Sequence, residues 1–172
     1  GTSHCYEFGG DYRQSPNYRI GKLGIDYRYN ARKKGYEIVR IIKGDHWLSE
    51  NRSPLMNPGM NVSTGWIIKA VNGIPVTKTT PPERLTLNLA GQQVQLTVSS
   101  PDGKEEKVVT IPTMKDEMQA RYRDWVEGNR EYVHKVSKGK LGYVHIPDMQ
   151  KDGLIEFHRY FLAEVDYEGL II

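Results

Sequence analysis

Short apolar runs separated by turn residues fill the stretch from residue 20 to residue 112 and predict strands there. Residues 25–29 and 36–42 are rich in aromatic and β-branched side chains and flank a polar segment. Two such runs around a short polar segment are typical of a β-hairpin. The first secondary structure expected in this stretch is therefore a pair of antiparallel strands.

A second hairpin is predicted between residues 66–71 and 74–76. Asn72 and Gly73 stand between these runs, and this dipeptide tolerates the positive φ that both central positions of a type I′ turn require. Pro75 cannot donate a ladder hydrogen bond, so the second strand is expected at an edge or as a short stub.

One short helix and one more strand pair complete this stretch. Prolines at 81 and 82 and the glycine at 91 predict a helix between them, because proline suits the first turn and glycine follows the last. Apolar and polar residues then alternate over 94–98, and the chain returns as a strand over 107–111. We expect this strand-rich unit to form a small β-barrel or sandwich.

A long helix is predicted from Thr113 to about Ser137. Thr113 and Asp116 have the spacing of a capping box, and Gly139 is a plausible C-cap. The apolar positions of this segment recur at helical spacing and are expected to pack into a core. They are Met118, Tyr122, Trp125, Val126, Val133 and Val136.

A strand, a helix and a strand follow over residues 141–146, 153–165 and 170–172. Such a βαβ unit has parallel strands, whose sheet is normally covered on both faces. Two strands and one helix cannot provide that cover, so we expect the sheet to continue outside this chain. The predicted class is α+β: a β-barrel or sandwich with a short helix, then a long helix and a βαβ fragment of an incomplete α/β subdomain.

Composition excludes several functions without indicating one. The 172 residues carry 24 Lys and Arg against 21 Asp and Glu, a small and interspersed surplus that argues against a nucleic-acid partner. No apolar run approaches the roughly 20 residues of a membrane helix, so no membrane partner is expected. Cys5 is the only cysteine, and the histidines lack metal-ligand spacing, so no metal site is expected.

Three segments of the strand-rich unit together resemble a PDZ domain of the circularly permuted, protease-associated kind. They are residues 53–55 (SPL), 58–60 (PGM) and 65–73 (GWIIKAVNG). Those domains usually carry a Gly-Asp pair before the isoleucine-rich strand, and Trp66 departs from that pattern. The fold that this resemblance implies is PDZ-like.

Upstream, residues 21–25 occupy the place of the carboxylate-binding loop of such domains. Glycine lets consecutive backbone N–H groups converge on an anion, and the strand that follows can accept a peptide by β-augmentation. The short helix would form the other wall of the groove. The alternative is that the two glycines only make a turn. The candidate peptide-binding residues are Gly21, Lys22, Leu23, Gly24 and Ile25.

The flanks resemble the tricorn protease family, within the tail-specific serine protease clan. Residues 121–127 (RYRDWVE) and 137–149 (SKGKLGYVHIPDM) are similar to the run that links the PDZ domain of that family to its C-terminal catalytic subdomain. Residues 2–4 (TSH) and 6–12 resemble the family segment that carries the catalytic histidine. The resemblance covers nearly the whole chain.

This resemblance implies a serine-type peptidase. His4 matches the general base, and Ser3 matches a hydroxyl that helps to hold it. The nucleophilic serine would lie beyond this chain, so the chain alone is expected to be inactive. The family further implies peptide substrates, no metal or organic cofactor, assembly into homo-oligomers through the full-length protein, and a cytoplasmic location.

Alternatives stay open for two parts of the chain. Residues 1–4 (GTSH) are also typical of a tag remnant or a frayed end. The PDZ-like unit is also consistent with a non-catalytic peptide-binding module, or with a spacer whose groove its own chain fills. The expected organisation is the histidine-bearing segment at 1–19, the PDZ-like domain at 20–112, the linking helix at 113–139 and the truncated start of the catalytic subdomain at 140–172.

Overall fold

The computed structural model describes residues 18–45 and 48–172. Its N-terminal part contains the strands β1 (Ile25–Asn30), β2 (Gly35–Ile41), β3 (Ile67–Val71), β4 (Ile74–Pro75), β5 (Gln93–Ser99) and β6 (Glu106–Pro112). These strands form one sheet in the order β1-β2-β3-β5-β6, with β4 beside β3, and every pair is antiparallel. The predicted strand-rich unit is confirmed.

Alternation along the strands places the core of this unit on one side of the sheet. In β5, Val94, Leu96 and Val98 are buried, whereas Gln93 and Gln95, which alternate with them, are exposed. Apolar side chains of the other strands join them in a single cluster. Ile38, Ile68, Val71 and Ile111 are its fully enclosed members outside β5.

Both predicted hairpins are present. Asn72 and Gly73 have φ values of 49° and 77°, as a type I′ turn requires, and Val71 pairs with Ile74. Between β1 and β2, Asn30 pairs with Gly35. The local turn chemistry therefore fixes the register of these strands.

The segment before β1 and the segment after β6 are hydrogen-bonded to each other. Lys22, just before β1, and Met114, just after β6, exchange two backbone hydrogen bonds of 2.9 and 2.8 Å. This bridge brings the entry and the exit of the unit side by side, in keeping with the barrel-like closure expected from the sequence.

The short helix α1 (Pro82–Leu85) ends earlier than predicted. The prediction carried it to Gly91, but Asn88 adopts φ +61°, a left-handed conformation that an α-helix cannot contain. The carbonyl of Thr86 instead accepts hydrogen bonds from Gly21 and Leu89. Residues 86–91 are therefore turns that hold the segment before β1.

The helix α2 (Met118–Val136) begins five residues after Thr113, so the predicted capping box is wrong. The buried Thr113 hydroxyl donates to the carbonyls of Leu89 and Gln92 and fastens the end of β6 to the turns after α1. Asp116 accepts from the Met118 amide at 3.1 Å. The C-terminal end is as predicted, because Gly139 has φ +76° and donates to the carbonyl of His134.

The buried face of α2 is half polar, so the predicted apolar stripe is correct for Val126 but not for the whole face. Arg123 and Asp124 are buried beside Ala120 and Val126. Met118 is 70% exposed and Trp125 is 50% exposed, so neither packs into the core as expected. Val136 is likewise exposed. The side of α2 that carries Arg123 and Asp124 faces the other elements, because Glu156 and the Lys43 amide bond to these two residues.

The predicted βαβ unit is confirmed. The strands β7 (Leu141–Tyr143) and β8 (Gly169–Ile171) are parallel and are joined by α3 (Lys151–Glu164). The predicted stripe of α3 is mostly uncovered: Leu154 and Leu162 are exposed, while Phe157 and Phe161 stack on each other with ring centroids 4.5 Å apart. None of the helices in the described residues is both long and apolar enough to cross a bilayer.

Two valines on neighbouring strands test this assignment of the core. Val98 in β5 is fully buried, whereas Val108 in β6 is 59% exposed. We expect Val98→Ala to lower the free energy of unfolding by about 2 kcal/mol, because two buried methyl groups are lost and a cavity is left. Val108→Ala is the matched control and should change it by less than about 0.5 kcal/mol. Urea unfolding of both variants measures this, and equal losses would contradict the assignment.

Candidate functional site

A cavity of about 210 Å³ lies between the predicted peptide-binding loop, the start of β1, α1 and the first turn of α2. Four of the five predicted residues, Gly21, Lys22, Leu23 and Ile25, line it, together with Glu83 of α1. The fold thus brings the predicted loop and its predicted second wall together. The first turn of α2 forms a third wall that the sequence did not indicate.

The beginning of the loop is fixed by backbone hydrogen bonds. The Gly21 amide donates to Thr86 and the Lys22 amide donates to Met114, both at 2.9 Å. A Cβ at position 21 would lie 2.8 Å from the Thr113 side chain, so only glycine fits there without a shift. These amides are engaged within the chain.

Gly24 adopts a left-handed backbone conformation within the loop. Its φ is +67°, and a Cβ at this position would lie 2.6 Å from the Cα of Ser53. The Ser53 hydroxyl donates to the Leu23 carbonyl, so the two segments are in direct contact. Both the backbone conformation and this close approach require glycine.

The amide of Gly24 donates to a carboxylate oxygen of Glu117, at 2.7 Å. The other oxygen of Glu117 accepts from Nε of Arg121 at 2.8 Å, and Arg121 also pairs with Asp26 at 2.9 Å. Arg121 further donates to the carbonyl of Ile25 at 3.4 Å. An anion therefore sits on the predicted carboxylate-binding amide, and it is a side chain of this same chain.

Sequence reasoning missed Glu117, Arg121 and Asp26. The only local signal was the spacing of four between Glu117 and Arg121, which is common on solvent-facing helices and does not indicate a site. Glu117 and Gly24 are 93 positions apart, so their contact depends on the closure of the sheet.

Tyr27 and Glu83 both line the cavity. Burial and then the Glu83 carboxylate raise the pKa of Tyr27, so its phenol is neutral at physiological pH. Within the described chain, the Tyr27 hydroxyl has no hydrogen-bond partner of normal geometry.

A second cluster of charges joins the β-rich unit to the two long helices. Arg123 of α2 makes two 2.6 Å hydrogen bonds to Glu156 of α3 and lies 3.8 Å from Asp45. Asp45 receives a two-point pair from Arg159 of α3 at 2.8 and 2.9 Å. Burial alone would lower the pKa of Arg123, but its hydrogen bonds to Glu156 outweigh that and raise it.

Tyr160 of α3 belongs to the same cluster. Its hydroxyl accepts from Arg123 at 3.0 Å and donates to Glu127 of α2. Burial, with the hydrogen bond to Glu127, raises the pKa of Tyr160 to about 12. Beside it, Asp124 pairs with Arg40 and accepts from the Lys43 amide at 2.9 Å, which is a further tie to the β-rich unit.

The carboxyl end of β7 carries a pair that the sequence did not reveal. Oη of Tyr122 lies 2.6 Å from Nε2 of His145, and Trp125 meets the same imidazole edge-on. Asp148 accepts from the amides of Gln150 and Gly153 and so caps α3. No group of three or more His, Cys, Asp or Glu in residues 18–45 and 48–172 is arranged to hold a metal.

The predicted catalytic residues His4 and Ser3 lie outside the described residues. Their roles stay predictions, carried by the resemblance of their segment.

Comparison with known proteins gives one consistent result. The family model described as "Tricorn protease PDZ domain" matches residues 21–116. Over 171 residues and 99% of this chain, identity is 41% to the "Tricorn protease homolog" of Saccharolobus solfataricus and 35% to the "Tricorn protease" of Thermoplasma acidophilum. A relative from Sulfurisphaera tokodaii is 47% identical over 171 residues, again 99% of the chain.

The fold gives the same answer. The structure titled "Crystal structure of the tricorn protease" superposes with a TM-score of 0.85 at 35% identity, over 98% of this chain and 16% of that one. This chain spans 19%, 16% and 16% of the lengths of the three relatives from Sulfurisphaera, Saccharolobus and Thermoplasma.

Two glycines with similar backbone angles test the close approach at the loop. Gly24 (φ +67°) would place a Cβ against Ser53, whereas Gly103 (φ +74°) would meet nothing within 4 Å. Gly103→Ala should cost about 1–2 kcal/mol of unfolding free energy, because alanine pays only the left-handed strain. Gly24→Ala should cost clearly more. Thermal and urea unfolding measure both, and equal costs would contradict the contact.

The raised pKa of Tyr160 predicts a pH dependence. Its pKa is about 12 in the folded protein, against about 10 for an unperturbed tyrosine, so its contribution to stability is complete below pH 10 and is lost as the pH rises toward 12. We therefore expect the free energy of unfolding to fall more steeply over this window in the wild type than in Tyr160→Phe. Parallel slopes for the two proteins would refute this role.

Proposed function

The chain belongs to the tricorn protease family, and we propose that it is one part of a serine peptidase that hydrolyses peptides. The observation that carries this proposal is the match along 99% of this chain, at 35% identity, to the Thermoplasma tricorn protease. The proposed parts keep the boundaries expected from the sequence, with the PDZ-like domain at 20–112, the linking helix at 113–139 and the start of a catalytic subdomain at 140–172.

We propose His4 as the general base of the reaction. A serine hydroxyl is a poor nucleophile until an imidazole accepts its proton, and the imidazole must be held in one orientation. Ser3 is proposed to help hold His4. The serine that attacks the peptide carbonyl is proposed to lie in the large part of the protein that this chain does not span.

The PDZ-like domain is proposed to bind or guide peptide along β1. Support comes from the cavity between residues 21–27 and α1, and from the place of β1 at one end of the sheet order. A strand at that place can add an extended peptide through backbone hydrogen bonds. The ion cluster around Arg123 would hold this groove in a fixed position relative to the catalytic subdomain.

Self-assembly and location are part of the same proposal. We propose that the complete protein forms homo-oligomers and acts on peptides in the cytoplasm. A non-catalytic peptide-binding module is the second candidate, and the same cavity supports it.

Labelling with a fluorophosphonate probe tests the peptidase proposal on the complete gene product. The wild type should be labelled, and His4→Ala should reduce the labelling rate by about a hundredfold or more, because loss of the base removes most activation of the serine. His158→Ala, on the exposed side of α3, is the matched control and should leave labelling unchanged.

Each other outcome has a defined meaning. Labelling that is indifferent to His4 would retain a serine hydrolase and reject His4 as its base. No labelling of a folded wild type would favour the non-catalytic module. The 172-residue chain alone should hydrolyse no peptide, and turnover that His4→Ala abolishes would show that the nucleophile lies within it.

A further inference from the structure

We propose that Glu117 is a built-in occupant of the carboxylate-binding loop, so that the groove selects extended internal segments of peptides and not their C-terminal carboxylates. This inference rests on the proposed role of the PDZ-like domain in peptide binding. It makes Glu117 the residue that determines which part of a peptide the groove accepts.

The hydrogen bonds of the loop carry the first step. Capture of a terminal carboxylate requires backbone amides that converge on it and have no other acceptor. Here the Gly21 and Lys22 amides are bonded to backbone carbonyls, and the Gly24 amide is bonded to Glu117. A peptide carboxylate therefore has to displace Glu117 before it can use the Gly24 amide.

The second step concerns how firmly Glu117 is held. Its side chain is only 12% exposed, and both of its oxygens are engaged, one by Gly24 and one by Arg121. Arg121 is itself fixed by Asp26 and by the Ile25 carbonyl. A carboxylate tethered in the same chain competes at an effective concentration on the order of millimolar or higher, well above a weak free peptide.

The charge of the cavity gives the third step. Its wall contains three carboxylates, from Asp26, Glu83 and Glu117, and two cations, from Lys22 and Arg121. Arg121 already pairs with two of those carboxylates. A terminal carboxylate would therefore enter a cavity with an excess of negative charge, whereas an uncharged backbone segment would not.

The outer edge of β1 can supply backbone hydrogen bonds to an uncharged, extended segment. β1 pairs with β2 on one side, and no described strand pairs with its other side. An extended peptide can add there through its backbone, with its side chains contacting the cavity wall. An internal segment satisfies these contacts as well as a terminal one does.

Two hexapeptides that differ only at the C-terminus, one a free acid and one an amide, test this inference. The sequence is chosen from those that bind the wild-type chain. We expect the wild type to bind both with dissociation constants within about threefold. Glu117→Ala frees the Gly24 amide and should bind the free acid at least tenfold more tightly than the amide. Glu83→Ala is the matched control, because it removes an equal charge from the cavity without freeing an amide, and it should produce no such preference.

A second variant and a second readout separate the possible failures. Glu117→Gln keeps an acceptor near Gly24 and should bind the two peptides alike even if Glu117→Ala unfolds. In the wild type, the hydrogen bond to the Glu117 carboxylate should shift the Gly24 amide proton downfield, and Glu117→Gln should move this resonance.

Wild-type preference for the free acid by tenfold or more would overturn the inference and leave peptide binding intact. A Gly24 resonance that Glu117→Gln does not move, or an equal preference in Glu83→Ala and Glu117→Ala, would also overturn it. If no peptide binds any variant while Glu117→Gln moves the Gly24 resonance, the peptide-binding role fails and the occupancy by Glu117 stands.

Discussion

Arg123 is a guanidinium held almost out of water between three separate parts of the chain. It reaches Glu156 and Tyr160 on α3 and Asp45 in the segment that follows β2. Taking such charges from water is costly, and the cost is recovered only when every partner is in place. Removing one partner of a buried pair typically costs about 3–5 kcal/mol, so this contact tolerates little change in geometry. The relative positions of the groove, α2 and the βαβ unit all depend on it.

The same helix also contacts the loop proposed to bind peptide, through Glu117 at its N-cap and Arg121 in its first turn. One helix thus satisfies the Gly24 amide at its beginning and the charges of Asp45 and Glu156 further along. The hydrogen bonding of the loop and the position of the βαβ unit therefore both depend on α2. If peptide does displace Glu117, the disturbance begins at the helix that also anchors α3.

Sequence patterns predicted the elements whose structure depends only on neighbouring residues. Alternation placed β5, and Asn72-Gly73 placed the turn after β3, since neither depends on distant residues. The end of the short helix was mispredicted because Asn88 adopts a left-handed conformation. The capping box was mispredicted because Thr113 is bonded to a turn far from it in sequence. The buried side of α2 was mispredicted for the same reason: the partners of Arg123 lie on other elements. The glycines of the loop were predictable from their pattern, whereas Glu117 as their occupant was not, because that contact spans 93 positions.

The bridge between Lys22 and Met114 has a consequence for evolution. The chain enters and leaves the β-rich unit at adjacent points, so the two ends of this unit lie side by side. Domains whose ends lie together can be inserted, exchanged or lost without moving the segments on either side. Selection can therefore alter the proposed peptide preference by replacing this unit, while Lys22 and Met114 continue to meet at the same place.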